Sequence, residues 1–133
     1  MRNRTKSKLA KEMSIAHEKC KYVPTEDEVL RWFKIINREI FNNDLPQFRK
    51  IEIRRRRGCW GECIGALNET KDRCSDLSLN HHQKSKKHFI EVLIHEMVHH
   101  YQWIYESTMS HGESFFSWKP KLKKFKVKLR IKI

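Results

Sequence analysis

No apolar run in this sequence approaches the roughly 20 residues that a membrane-spanning helix needs, so a membrane partner is not expected. The N-terminus, "MRNRTKSKLAKEMSIAHEKCK", is basic and lacks the apolar stretch of a secretory signal. The protein is therefore expected to stay inside a cell, in cytoplasm, nucleus or nucleoid, whether a cell or a virus encodes it. There its four cysteines are expected as thiols or metal ligands, not disulfides. No internal repeat and no low-complexity linker divides the 133 residues, which favours one domain. Aromatic residues, at 11%, are too frequent for full disorder.

Acid is also missing where base is dense. Residues 119–133 hold eight Lys or Arg and no Asp or Glu, and residues 1–21 hold seven against two acids. Between them stand fourteen of each, so the whole excess of +13 lies in the two terminal segments. A neutral body with basic arms suits an anionic polymer, nucleic acid first. The plainer reading of such charge is a solvated, solubilising surface.

The chain parses into a basic segment (1–21), a central domain (22–118) and a basic C-terminal strand (119–133) packed on that domain. In the first, Leu9, Met13 and Ala16 fall at helical spacing. "TEDEVLRWFKIINREIFNNDLP" predicts a strong helix. Thr25 and Glu28 form a capping box, Val29, Phe33, Ile36 and Ile40 an apolar stripe, and Asn42, Asn43, Asp44 and Pro46 a stop. "FRKIEIRRRR" alternates as a strand. "GCWGECIGALN", with glycines at 58, 61 and 65, predicts a turn and a bent strand, and "CSDLSLN" a third strand. From Phe89 to about Glu106 the helical period returns. The expected fold class is α+β, a small antiparallel sheet packed with helices.

His95 and His99 stand four apart on that last helix, in the pattern His-Glu-x-x-His. At this spacing both imidazoles project from one face and can reach one ion. Glu96, rotated about one hundred degrees from His95, can take a proton from an attacking water without ligating the ion. A catalytic zinc commonly has three protein ligands. His111, in the turn-like setting Ser110-His111-Gly112, is the leading third candidate, with Glu106, Glu113 and Asp76 as alternatives. His100 is off the ligand face, and His17, His81, His82 and His88 read as surface residues.

"FNNDLP", "CSDLSLN", "HEMVHHYQW" and "SHGESFF", in that order, resemble the SprT-like metalloprotease family, which includes the Spartan proteases of DNA–protein crosslink repair. The resemblance covers roughly Val29 to Trp118. It implies a zincin-like domain and a zinc-dependent endopeptidase with ligands His95, His99 and His111 and the catalytic base Glu96. It also implies a protein substrate bound or crosslinked to single- or double-stranded DNA, and a monomer is expected. Two departures stand out: no cysteine follows Cys74 to form a zinc ribbon, and Pro120 is expected to cut short the helix after His111. The competing class is a non-catalytic nucleic-acid-binding protein with a structural zinc site, in which Glu96 has no use.

Weaker signals remain. Cys59, Cys63 and Cys74 could hold a second metal with His81 or His82, but their spacing lacks the usual paired pattern, and buried thiols are the simpler reading. Arg54, Arg55, Arg56 and Arg57 read either as a charged edge strand or as a phosphate-contacting ridge with Trp60 near to stack on a base. "KFKVKLRIKI" alternates strictly. It predicts a strand with Lys124, Lys126, Lys128, Arg130 and Lys132 on the outer face, as a nucleic-acid surface.

Overall fold

The computed structural model describes residues 7–15 and 21–130, so Ala16, His17, Cys20 and Lys132 lie outside the described residues. Its elements are α1 (Lys8–Ser14), α2 (Glu26–Ile40), β1 (Lys50–Arg54), β2 (Gly61–Leu67), β3 (Arg73–Asn80), α3 (Lys86–Tyr101), a π-helical turn (Gln102–Glu106), α4 (Glu113–Phe116) and α5 (Lys119–Lys123).

The start and end of α2 follow from local chemistry. The Thr25 hydroxyl accepts the Glu28 N–H at 3.2 Å, satisfying an N–H that has no partner within the helix. Val29, Phe33, Ile36 and Ile40 are all buried. Beyond Phe41, Asn42 and Asn43 take positive φ (54° and 60°), which ends the helix. The buried Asn37 then ties the loop back: its amide donates to the Leu45 carbonyl at 2.9 Å and accepts the Leu45 N–H at 3.1 Å. In α1, Leu9 and Met13 are buried. Its first turn is held by Glu39 of α2, which accepts the Lys8 and Leu9 N–H groups at 3.2 and 3.4 Å.

The sheet has the order β1-β3-β2 and is mixed, which corrects the expected antiparallel sheet. β2 and β3 pair antiparallel, Gly61 opposite Leu79 and Leu67 opposite Arg73. The turn between them is built on Asn68, whose side-chain oxygen accepts the Thr70 and Asp72 N–H groups at 3.0 and 2.9 Å. β1 pairs parallel with the other edge of β3, Lys50 opposite Asp76 and Arg54 opposite Asn80. The long 55–60 connection makes this possible: it lets β2 return on the far side of β3, so β3 runs with β1. The first strand is also shorter than the alternation predicted, and Arg55 to Arg57 lie outside the ladder.

α3 is the centre of the molecule. Every residue from Phe89 to His100 is buried, the signature of a helix covered on all sides. Glycine lets β2 come close to it. A β-carbon at Gly61 would stand 2.8 Å from Val92, and one at Gly65 would stand 3.0 Å from the Trp103 ring. Trp103 fills that space and donates to the carbonyls of Ala66 and Cys74 at 3.1 and 2.9 Å.

The predicted C-terminal strand is not formed among the described residues. Residues 119–123 are helical instead, with Pro120 in the first turn of α5, where a missing N–H costs nothing. The helical break falls earlier, between α4 and α5. After a turn with Lys126 at φ 62°, Val127 and Leu129 are buried while Lys128 and Arg130 are exposed. The alternation thus survives without a ladder. The reason is the Lys128 N–H, which reaches the Glu91 carboxylate on α3 at 3.2 Å and not a strand carbonyl.

Among the described residues no helix is long and apolar enough to cross a membrane.

Candidate metal centre

α3 presents His95 and His99 one turn apart, and Ser107, at φ 58°, reverses the chain behind the π-helical turn so that His111 comes back to them. His111 Nε2 lies 3.1 Å from His99 Nε2 and 3.4 Å from His95 Nε2. The ligating atoms of all three lie within 4.8 Å of one another. Nitrogens bound tetrahedrally to one ion at 2.0–2.1 Å stand about 3.3 Å apart, so the two measured separations suit a shared cation. The alternatives for the third ligand are placed elsewhere. Asp76 is paired with Arg49 at 2.8 Å, and Glu106 and Glu113 are exposed and not part of the cluster.

The electrostatics favour a cation too. Burial, then the neighbouring His99 and His111, push the His95 imidazole down to about 3, with the Arg130 backbone opposing. Burial likewise lowers His99. Both rings are therefore neutral near pH 7, with lone pairs free for a metal. Glu96 is 3% exposed, and its carboxylate stands 4.0 Å from His95 Nε2. Burial raises it to about 8, against a pull from the Cys63 backbone. A carboxyl destabilised this way by a dry site is one whose ionised form a bound cation would restore.

Two supporting residues lie within the motif stretches "HEMVHHYQW" and "SHGESFF", but the motifs assign neither a role. Gln102, fully buried in the π-helical turn, has its carbonyl oxygen 2.8 Å from His99 Nδ1. Its amide donates to the Ser110 carbonyl at 3.1 Å and the Ser114 hydroxyl at 2.8 Å, locking the His111 loop to the helix. The signal was its place three residues beyond His99, on the same face. Phe115 is also fully buried and puts its ring 5.0, 5.0 and 4.9 Å from those of His95, His99 and His111. It forms the apolar floor beneath all three.

His100 packs, as its position off the ligand face allows. It bonds Ser75 and, at 2.7 Å, the Pro46 carbonyl, and it stacks on Phe48. His81, His82 and His88 are half-buried, and His82 and His88 line a surface groove. His82 and His88 meet the edge of Trp60.

The three histidines and Glu96 open into a cleft of about 400 Å³, bordered by Gly61, Glu62 and Cys63 of β2 and by Met109 and Ser110. Among the described residues, Cys59, Cys63 and Cys74 form no second metal cluster, and all three are free thiols. Cys63 is held inert by burial, which pushes its thiol up to about 12.

The proposed nucleic-acid residues are scattered by the fold. Arg54 is paired with Glu52 at 2.5 Å and Arg56 with Glu62 at 2.7 Å, so the arginine run is no uniform ridge. Arg55 and Arg57 are exposed. Trp60 lies on a groove of about 890 Å³ that Lys21, Lys84, Lys87, Lys128 and Arg130 also line. Lys87, Lys128 and Arg130 border a second cleft, of about 580 Å³, with Lys119, Lys123 and Lys126. Lys124 is exposed and lines neither cleft.

The fold is thus an α+β domain that gathers three histidines at one buried helix. The model of the SprT-like family matches residues 29–133, and the chain belongs to that family. No curated protein matches it.

Proposed function

We propose that the chain is a zinc-dependent endopeptidase that cleaves proteins bound or crosslinked to DNA. The observation that carries the peptidase reading is Glu96, a dry carboxylate 4.0 Å from the atom His95 turns toward the metal position. A merely structural ion has no need of it. Zinc is favoured by three neutral imidazole donors. Bound to His95, His99 and His111, it would supply a Lewis acid that polarises the scissile carbonyl and acidifies the attacking water. Glu96 takes that water's proton and returns it to the leaving amine. Burial raises its carboxyl to about 8, so it holds the proton it takes more readily than an ordinary glutamate and can hand it on. β2 is an edge strand whose first residues border the cleft. It offers a peptide substrate a backbone edge to pair with, holding a bond over the site.

The DNA part rests on charge. Two adjoining clefts share Lys87, Lys128 and Arg130, and the groove on one side offers Trp60 as a stacking surface. Single- or double-stranded DNA held there would lie beside the catalytic cleft, since Trp60 sits between Cys59 and Gly61, which line that cleft.

The test is incubation of the zinc-loaded protein, and of Glu96→Gln, with a basic DNA-binding protein in the presence and absence of single-stranded DNA. Fragments from the wild type and none from Glu96→Gln are expected, with zinc content equal in both. Equal cleavage by the two proteins would sink the mechanism.

A further inference from the structure

His95 Nδ1 is buried and has no partner within hydrogen-bonding geometry. This sets it apart from His99, whose Nδ1 is engaged by Gln102 at 2.8 Å. A metal-ligating histidine ordinarily donates its other ring N–H to an acceptor, which fixes the tautomer and raises the basicity of the ligand. The backbone of Arg130 comes up to the His95 ring without making a formed hydrogen bond to it.

The path of the C-terminal segment explains why Arg130 arrives there. Lys128 N–H is bonded to Glu91 at 3.2 Å, and Glu91 is one helical turn before His95. Four residues of helix rise about 6 Å, and two residues of near-extended chain span at most about 7 Å. A segment pinned at Lys128 to Glu91 and running alongside α3 is therefore long enough to bring the Arg130 carbonyl to the level of His95. Val127 and Leu129, each 5% exposed, fix it there.

We propose that residues Val127–Arg130 are a strap along α3 whose Arg130 carbonyl accepts the Nδ1 proton of His95 when the metal is bound, making Arg130 a positioning residue for the first ligand. The strap does for His95 what Gln102 does for His99, with a backbone group in place of a side chain. Nothing in the strap's own side chains needs to touch the ion. The proposal rests on the reading of the three histidines as a metal site.

Glu91→Ala removes the anchor of Lys128 N–H, Glu91→Gln keeps an acceptor there, and Leu129→Ala loosens the buried end. Zinc affinity is measured in the full chain by competition with a chromophoric chelator, and the melting temperature of the zinc-free proteins reports the fold. Glu91→Ala and Leu129→Ala should bind zinc roughly 10–100-fold more weakly, with Glu91→Gln close to wild type. A purely packing role predicts instead that affinity stays constant in every variant that folds. A second measurement needs no variant. In zinc-loaded wild type, long-range nitrogen–proton spectra should show His95 protonated at Nδ1, with that proton slow to exchange. Rapid exchange with solvent, or unchanged affinity in folded Glu91→Ala and Leu129→Ala, overturns the strap. A wild type that binds no zinc overturns the metal reading itself, and the strap with it.

Discussion

Gln102 holds His99 Nδ1 at 2.8 Å through one end of its amide and Ser110 and Ser114 through the other. One buried side chain therefore orients a histidine of the helix and fastens the loop that delivers His111. Gln102→Leu keeps the volume and removes all of these bonds. We expect zinc affinity to fall by about 10–100-fold, together with a loss of about 2–3 kcal/mol of stability from the unpaired groups left behind. Chelator competition and urea denaturation measure the two separately. Unchanged zinc affinity would mean that Phe115 and the backbone alone set the geometry.

Asn37 is the corresponding clamp at the end of α2, bonded to both backbone groups of Leu45. Asn37→Ala leaves two largely buried main-chain groups without a partner. We expect a loss of about 2–4 kcal/mol in urea unfolding of the zinc-free protein. Zinc stoichiometry should stay the same, because the loop is remote from the three histidines in sequence and makes no bond to them.

Stability should fall on mild acidification, and His88 should contribute to that fall. Burial, with Lys84 and Arg130 adding repulsion, lowers His88 to about 4. Its Nδ1 accepts the Lys84 N–H at 3.3 Å, which only the neutral ring can do. The folded pKa lies below the unfolded value of roughly 6.5, so the unfolded chain takes up the proton first. The contribution is therefore complete above about 6.5 and is lost as the pH drops toward 4. His88→Gln should show a shallower decline of melting temperature across that window. Parallel curves for the two proteins would remove His88 from the account.

DNA binding should be salt-dependent and indifferent to sequence. Lys84, Lys87 and Lys119 line the two basic clefts without forming part of the strap. Replacing the three with Gln should reduce the slope of log affinity against log salt by about 0.7–0.9 for each phosphate that is no longer neutralised. Fluorescence anisotropy with labelled oligonucleotides reads this directly. Quenching of Trp60 by single strands only would place a base on that ring. No binding at low salt would leave the clefts as solvated surface and the peptidase reading intact.

The sequence by itself determined what local rules control. Thr25 and Glu28 set the start of α2, and Asn42 and Asn43 set its end, because capping and positive φ act over a few residues. His95, Glu96 and His99 were legible because helical spacing alone puts two imidazoles on one face. The ordered motifs marked the family. The tertiary structure decided everything that needed a partner far along the chain. The parallel pairing of β1 with β3 depends on which edge of β3 remains open, which no alternation pattern encodes. "KFKVKLRIKI" had the period of a strand, yet a strand also needs a ladder, and among the described residues Lys128 gives its N–H to Glu91 instead. The arginine run read either as a charged edge strand or as a phosphate-contacting ridge, and only the folded chain shows Glu52 and Glu62 engaging two of its members. The choice of His111 over three carboxylates depended on Ser107, Gln102 and Phe115 acting together, and each acts only across a packed interior.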